Sequence, residues 1–100
     1  MTLKTTENNG RTTTTLDGML DSSSAPQFQD AINQLLEKDV LDIVVDLADL
    51  TYTSSQGIRT ILTLIKAMMA RNGKLVFRNI RPAVREVLDM AGISQAMTIE

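Results

Sequence analysis

Two adjacent hydroxyl groups, on Ser54 and Ser55, stand where a strand-like run gives way to a helix-like pattern. The stretch VVDLADLTYTSSQGIRTILTLI begins with almost continuous apolar residues and continues with apolar residues at helical spacing. Serine is favoured at the start of a helix, because its hydroxyl accepts a hydrogen bond from a free backbone N–H. An exposed serine can also accept a phosphoryl group. Both roles, helix cap and chemical acceptor, remain open for this pair.

Catalysis by these serines has little support in the rest of the chain. The sequence contains no histidine and no cysteine, so the usual general base and the usual thiol nucleophile are missing. TSSQG is not the G-x-S-x-G motif, and Gly57 has neither the second glycine nor the lysine of a phosphate-binding loop. We therefore expect a domain that is not an enzyme and that needs no cofactor.

Three acidic residues, Asp42, Asp46 and Asp49, are the only candidates for a metal site. Asp42 and Asp46 flank or end an apolar strand, and no second acidic cluster completes a set of ligands. We expect no metal site.

A phosphate at the proposed turn would suit the start of a helix. Free backbone N–H groups and the positive end of the helix dipole both favour negative charge there. Phosphorylation would add about two negative charges to a surface loop. A partner that had closed over a neutral hydroxyl would then have to desolvate a dianion, at a cost of roughly several kcal/mol. The physical argument therefore predicts a switch on binding.

The elements that position this turn follow from local patterns. Asn9-Gly10 lies between two threonine-rich segments and predicts a two-residue hairpin turn. SSSAPQ predicts a helix start at which Ser24 caps and Gln27 reaches back. LDIVVDL and KLVF predict buried strands, and helices between them imply parallel pairing. The predicted class is α/β, with a small mixed sheet of about four or five strands packed against about three or four helices.

Composition and charge limit the function further. Apolar residues make up 43% and charged residues 22% of the 100 residues, as in one globular domain over residues 1–100. The net charge of −2 combines a balance of −6 in residues 1–50 with +4 in residues 51–100, which suits a charged protein partner. The basic residues are dispersed and lack an aromatic platform, so we expect no nucleic acid partner. No window is apolar enough for membrane insertion.

The second predicted helix offers a candidate binding face. Its expected buried stripe comprises Ile58, Ile61, Leu62, Ile65, Met68 and Met69. At about 100° per residue, Leu64 falls off this stripe, on the side of Thr60. We expect Leu64 on the surface, either by chance or as a partner contact beside Ser55.

Three segments in the same order resemble the STAS domain, and in particular the stand-alone anti-sigma factor antagonists of bacterial partner-switching systems. They are Gly18-Met19-Leu20-Asp21, the stretch from Asp46-Leu47 through Gly57, and residues 73–93. By this resemblance the phosphoacceptor falls on Ser55, with Ser54 as the second candidate. Ser54 stands where the family has Asp, and Gln56 stands where it has a second Ser.

The resemblance implies a cytoplasmic protein that binds an anti-sigma factor serine kinase and so releases a sigma factor or another target. Phosphorylation of Ser55 would end the complex, and a PP2C-type serine phosphatase would reset it. The resemblance and the helix-face argument together predict the partner-binding residues Asp21, Ser54, Ser55, Gln56, Gly57, Thr60 and Leu64.

Two other roles remain open for a domain of this kind. One is a non-phosphorylated STAS subunit of a membrane transporter complex, in which the serine could be removed without effect on binding. The other is a nucleotide-binding STAS module, against which the lack of a glycine-rich loop argues.

Overall fold

A four-stranded sheet with three α-helices forms the protein, seen here as a computed structural model that describes all 100 residues. The strands are β1 (Thr2–Asn8), β2 (Arg11–Leu20), β3 (Asp42–Thr53) and β4 (Lys74–Arg78), in the sheet order β1-β2-β3-β4. The helices are α1 (Ala25–Glu37), α2 (Ser55–Ala70) and α3 (Pro82–Met90), followed by a short 3-10 helix (Ser94–Ala96). The predicted α/β class with a mixed sheet is confirmed.

A tight turn joins β1 to β2. Asn9 and Gly10 both have positive φ angles, 54° and 81°, as a two-residue hairpin turn requires. Asn8 and Arg11 are paired directly across the turn, and the two strands are antiparallel. The Asn-Gly prediction is therefore confirmed, and β1 becomes one edge of the sheet.

The other three strands are parallel, and one face of them holds most of the core. Thr14, Val45 and Phe77 are register partners on β2, β3 and β4, so their side chains share this face. All three are buried, and Val45 and Phe77 belong to one apolar cluster with residues of the three α-helices. Val44, which points to the other face, is buried as well. This agrees with the prediction that the run LDIVVDL is covered on both faces, whereas Tyr52 near the end of β3 is exposed.

The buried face of α2 differs from the predicted stripe. Leu64 is only 1% exposed and belongs to the core cluster, so the prediction that it lies on the surface is wrong. Thr60 is also buried, at 7%, whereas Met69, which was expected inside, is 70% exposed. The buried residues of the helix are Gly57, Thr60, Ile61, Leu64, Ile65 and Met68.

Packing between α1 and α2 explains why the buried face of α2 is rotated about the helix axis from the predicted stripe. Ala25, Pro26 and Gln29 of α1 line one cavity with Gln56 and Thr60 of α2, so this side of α2 faces α1. Leu64 lies four residues after Thr60 and therefore on the same side of the helix. Because α2 packs against α1 as well as against the sheet, it buries a wider arc than a helix that covers a sheet alone. Leu64 cannot serve as a partner contact in this fold.

Truncation of this side chain should test its position. We expect Leu64→Ala to lower the free energy of unfolding by about 2–5 kcal/mol, because it removes buried methyl groups and leaves a cavity. Urea denaturation followed by circular dichroism measures the change. The matched control is Met69→Ala on the exposed side of the same helix, which should change the stability by less than about 0.5 kcal/mol. A small effect of Leu64→Ala would contradict its burial.

Candidate functional site

The turn between β3 and α2 uses the hydroxyl of Ser54 as a helix cap. Ser54 has extended backbone angles, and its Oγ accepts a hydrogen bond from the backbone N–H of Gly57 at 3.4 Å. The backbone N–H of Ser54 donates to the carbonyl oxygen of Leu20 at 2.9 Å, which joins the end of β3 to the end of β2. Ser54 is therefore occupied by structural contacts on both its side chain and its backbone.

Ser55 differs from its neighbour in having a free hydroxyl. It is the first residue of α2 and is exposed, and its Oγ makes no hydrogen bond within the protein. Its position in the first helical turn places it among backbone N–H groups that have no carbonyl partner inside the helix. The structure thus assigns the cap to Ser54 and leaves the hydroxyl of Ser55 free.

Gly57 allows α2 to begin against the end of β2. A Cβ atom at this position would lie 2.7 Å from the carbonyl oxygen of Leu20 and would also overlap Thr53 Oγ1. Only a residue without a side chain fits this approach, so Gly57 positions the helix start. Its backbone φ is not in the left-handed region, so its role is steric.

A second turn, between β2 and α1, ends at the same edge of the sheet. One carboxylate oxygen of Asp21 accepts hydrogen bonds from the Ser23 hydroxyl at 2.7 Å, the Ser23 N–H at 3.0 Å and the Ser24 N–H at 3.2 Å. These bonds, with that from the Ser23 hydroxyl as the largest cause, lower the pKa of Asp21 below its ordinary value. Asp21 thus organises the turn that precedes α1.

The predicted capping box at this helix start is wrong. Ser24 occupies the N-cap position, but its side chain makes no capping hydrogen bond to the helix. Its Oγ instead donates to the carbonyl oxygen of Met19 at 2.7 Å and accepts from the Asp21 N–H at 2.9 Å. Gln27 is exposed and makes no reciprocal bond. The local pattern predicted a cap by Ser24, but the side-chain hydrogen bonds at this point come from Asp21, which accepts from N–H groups of the turn before α1.

Most of the predicted partner-binding residues come together at this edge. Gln56 and Thr60 line a shallow cavity of about 230 Å³ between the first turns of α1 and α2. Asp21, Ser54, Ser55 and Gly57 belong to the two turns beside it, which the bond between Ser54 and Leu20 holds together. Leu64 lies in the core and is the one member of the predicted set that the fold removes from this surface.

Two exposed apolar side chains beside the turns were missed by the sequence reasoning. Met19 and Tyr52 are register partners on β2 and β3 and are 51% and 47% exposed. Their neighbours in the chain, Leu20 and Thr53, are buried on the opposite face. Strand alternation from Leu20 could have predicted this exposed apolar pair, which lies on the face of the sheet opposite Leu20 and Thr53.

Each of the three aspartates considered as metal ligands contacts a different partner. Asp42 pairs with Arg11 at 3.2 Å, Asp46 accepts from the Ala48 N–H at 3.0 Å, and Asp49 lies 3.8 Å from Arg81. No group of three or more His, Cys, Asp or Glu side chains has an arrangement that could hold a metal ion. No helix combines the length and the apolar character that crossing a membrane requires.

The larger cavity of the protein, about 320 Å³, lies at the other end of α2. Its lining includes Met68, Met69, Leu75 and Phe77, beside the C-terminal segment that pairs with the edge of β4 through Ile99. None of the residues of the two serine-bearing turns borders it. The exposed hydroxyl and the shallow cavity next to it, rather than the larger apolar cavity, therefore define the candidate site.

Comparison with known proteins assigns the family. The family model of the STAS domain matches residues 2–100. The chain belongs to the STAS domain family. A relative from Bordetella bronchiseptica, named as the anti-sigma factor antagonist BtrV, is 34% identical over 77 residues, or 77% of this chain and 66% of the relative. This STAS domain thus spans slightly less than two thirds of that relative's length.

Solved structures show the same fold. The crystal structure of an anti-sigma factor antagonist from Thermotoga maritima gives a TM-score of 0.91 at 16% identity, covering 97% of this chain and 84% of the other. The structure of the Bacillus cell fate determinant SpoIIAA in its phosphorylated form gives 0.78 at 19% identity, covering 99% and 91%. The STAS architecture of this chain, with four strands and three α-helices, agrees with both.

The steric role of Gly57 in this STAS domain is testable. We expect Gly57→Ala to destabilise the domain by about 1–3 kcal/mol, because the added methyl group overpacks against Leu20 and Thr53. This outcome would oppose the intrinsic preference of helices for alanine, which is worth about 1 kcal/mol. Urea denaturation measures the change, and Gln56→Ala, on the exposed neighbour, serves as the near-neutral control. Stabilisation by Gly57→Ala would rule out the close approach.

The lowered pKa of Asp21 predicts a pH dependence of stability. A carboxylate whose pKa falls on folding stabilises the protein above its unfolded value, near 3.8, and loses this effect as the pH drops through the folded value. Asp21→Asn should therefore lower the melting temperature at pH 7, and the difference from the wild type should shrink below pH 3.8. Thermal melts across this range measure it. A difference that stays constant at acid pH would show that the charge of Asp21 contributes nothing.

Proposed function

We propose that this STAS domain is an anti-sigma factor antagonist whose binding is switched off by phosphorylation of Ser55. In its unphosphorylated form it binds an anti-sigma factor that is also a serine kinase, and this binding frees a sigma factor or another target. The domain is then a ligand and a substrate, not an enzyme. Because the kinase, its ATP and the sigma factor act in the cytoplasm, the proposal places the domain there.

The observation that carries the proposal is the free, exposed hydroxyl of Ser55 at the first position of α2. The neighbouring hydroxyl of Ser54 is committed to the cap, so a phosphate there would disturb the start of the helix. Family membership, the name of the BtrV relative and the existence of SpoIIAA in a phosphorylated form support the same role. The two turns and the shallow cavity between α1 and α2 supply the surrounding contact surface.

The chemical step is a phosphoryl transfer in which this domain supplies only the acceptor. Oγ of Ser55 attacks the γ-phosphorus of ATP bound to the kinase, ADP leaves, and the hydroxyl proton passes to a base on the kinase. The chain has no histidine that could act as this base. A PP2C-type serine phosphatase would reverse the modification by hydrolysis, and the free hydroxyl would return.

The consequence for binding follows from charge and solvation. The unmodified hydroxyl is neutral and can be covered by a partner at little cost. The phosphorylated residue carries about two negative charges, which a closed interface would have to desolvate. The start of α2 stabilises this charge in the free domain, so phosphorylation weakens binding without unfolding the protein.

A kinase assay with binding measurements tests the proposal. The purified domain is incubated with its anti-sigma factor serine kinase and ATP, and mass spectrometry is expected to find phosphate on Ser55. Ser55→Ala should bind the kinase as the wild type does and remain bound with ATP present. Ser55→Asp should bind at least about ten-fold more weakly, which corresponds to roughly 1.4 kcal/mol. Titration calorimetry measures the affinities.

Ser54→Ala is the matched control, because it removes the neighbouring hydroxyl and should leave phosphorylation in place. It should lower the free energy of unfolding by about 1 kcal/mol through loss of the cap. Phosphate found only on Ser54 would move the acceptor by one residue. Equal affinity of the wild type, Ser55→Ala and Ser55→Asp would reject the switch and favour a structural STAS subunit.

A further inference from the structure

Arg59 stands apart from the other arginines of the protein. Five of the six arginine side chains hold a partner, either a carboxylate or a backbone carbonyl oxygen. These five are Arg11, Arg71, Arg78, Arg81 and Arg85. The guanidinium group of Arg59 makes neither an ion pair nor a hydrogen bond, and the residue is exposed. A free, planar guanidinium is suited to bidentate binding of a phosphate or carboxylate.

The helix places Arg59 over Ser55. The two residues are four positions apart on α2, so they are neighbours on the same exposed side of the helix. Helical side chains lean toward the N-terminus of their helix, so the long side chain of Arg59 reaches back over the turn that Ser55 begins. No Asp or Glu occurs anywhere in α2, so no carboxylate of this helix competes for the guanidinium.

We propose that Arg59 is the internal counter-ion for a phosphate on Ser55. The inference rests on the proposed function of Ser55 as acceptor and adds how the phosphorylated state is held. Two N–H groups of the guanidinium donate to phosphate oxygens, in a charge-assisted pair within one helix. The pair compensates part of the added charge in the free domain and withdraws an arginine from the surface that a partner would meet. Phosphorylation therefore changes two groups at this surface instead of one.

Direct placement of phosphoserine makes the pair measurable without any kinase. Phosphoserine is incorporated at position 55 during translation, in the wild-type background and with Arg59→Gln or Lys66→Gln. Lys66 is an exposed cation on the same helix and makes no ion pair, so it is the matched control. Arg59→Lys keeps the positive charge but lacks the planar guanidinium. Its interaction with phosphoserine 55 should therefore be weaker than that of Arg59 and stronger than that of the Arg59→Gln variant.

The first readout is nuclear magnetic resonance of the arginine Nε–H groups. In the phosphorylated wild type we expect one Nε–H signal to move downfield and to exchange more slowly with water. The signal should be absent with Arg59→Gln and retained with Lys66→Gln. Identical spectra of the arginine side chains before and after phosphorylation would overturn the pair.

The second readout is a thermodynamic cycle between residues 55 and 59. Arg59→Gln should lower the melting temperature of the phosphorylated domain by about 2 °C or more beyond its effect on the unphosphorylated domain. This extra loss should diminish at high salt, because the pair is exposed. An equal effect of Arg59→Gln on both forms would overturn the inference.

Failure of the inference can be separated from failure of the proposed function. Absence of coupling in the encoded phosphoprotein rejects the pair, even if a kinase modifies Ser55 and the partner then dissociates. Coupling in the encoded phosphoprotein supports the pair, even if no kinase is found to modify Ser55.

Discussion

The backbone N–H of Ser54 donates to the carbonyl of Leu20, and this contact joins the carboxyl ends of β2 and β3. Gly57 then lets the backbone of α2 lie against Leu20 and Thr53, where any larger residue would overlap. The start of α2, the turn organised by Asp21 and the shallow cavity between α1 and α2 all follow from this approach. The surface proposed for partner binding is thereby built from two turns that are distant in the chain.

Ser54 and Ser55 are neighbours, but only the hydroxyl of Ser54 is hydrogen-bonded, for a physical reason. A helix cap must accept a hydrogen bond from an N–H of the first turn. The hydroxyl of Ser54 makes this bond with Gly57, so it is less available for modification. The next residue is already helical, and its side chain points outward without a partner. The start of a helix thus provides a capping hydroxyl and a free hydroxyl one residue apart, and its dipole favours negative charge beside the free one.

Five of the six arginines already hold a partner within the protein. Arg78 pairs with Glu100 and Arg85 with Asp89 within the basic half of the chain, while Arg81 reaches Asp49 in the acidic half. These exposed pairs add little stability individually, since solvent screens them. Their effect on recognition is larger, because a cation that is already paired is less available to a partner. Among the arginines, the unpaired Arg59 beside Ser55 is for this reason the one most available to bind a negatively charged group.

The sequence by itself determined the hairpin, the order of strands and helices, the parallel pairing of β2, β3 and β4, and the edge at which Ser54 and Ser55 lie, because turn residues and apolar periodicity act locally. It did not determine the rotation of α2: Leu64 became buried because α1 packs beside it, which is a contact between distant segments. Nor could it decide which serine is free or that Asp21 organises its turn in place of a Ser24 cap. Those outcomes depend on backbone angles at the ends of strands, which only the packed tertiary structure sets.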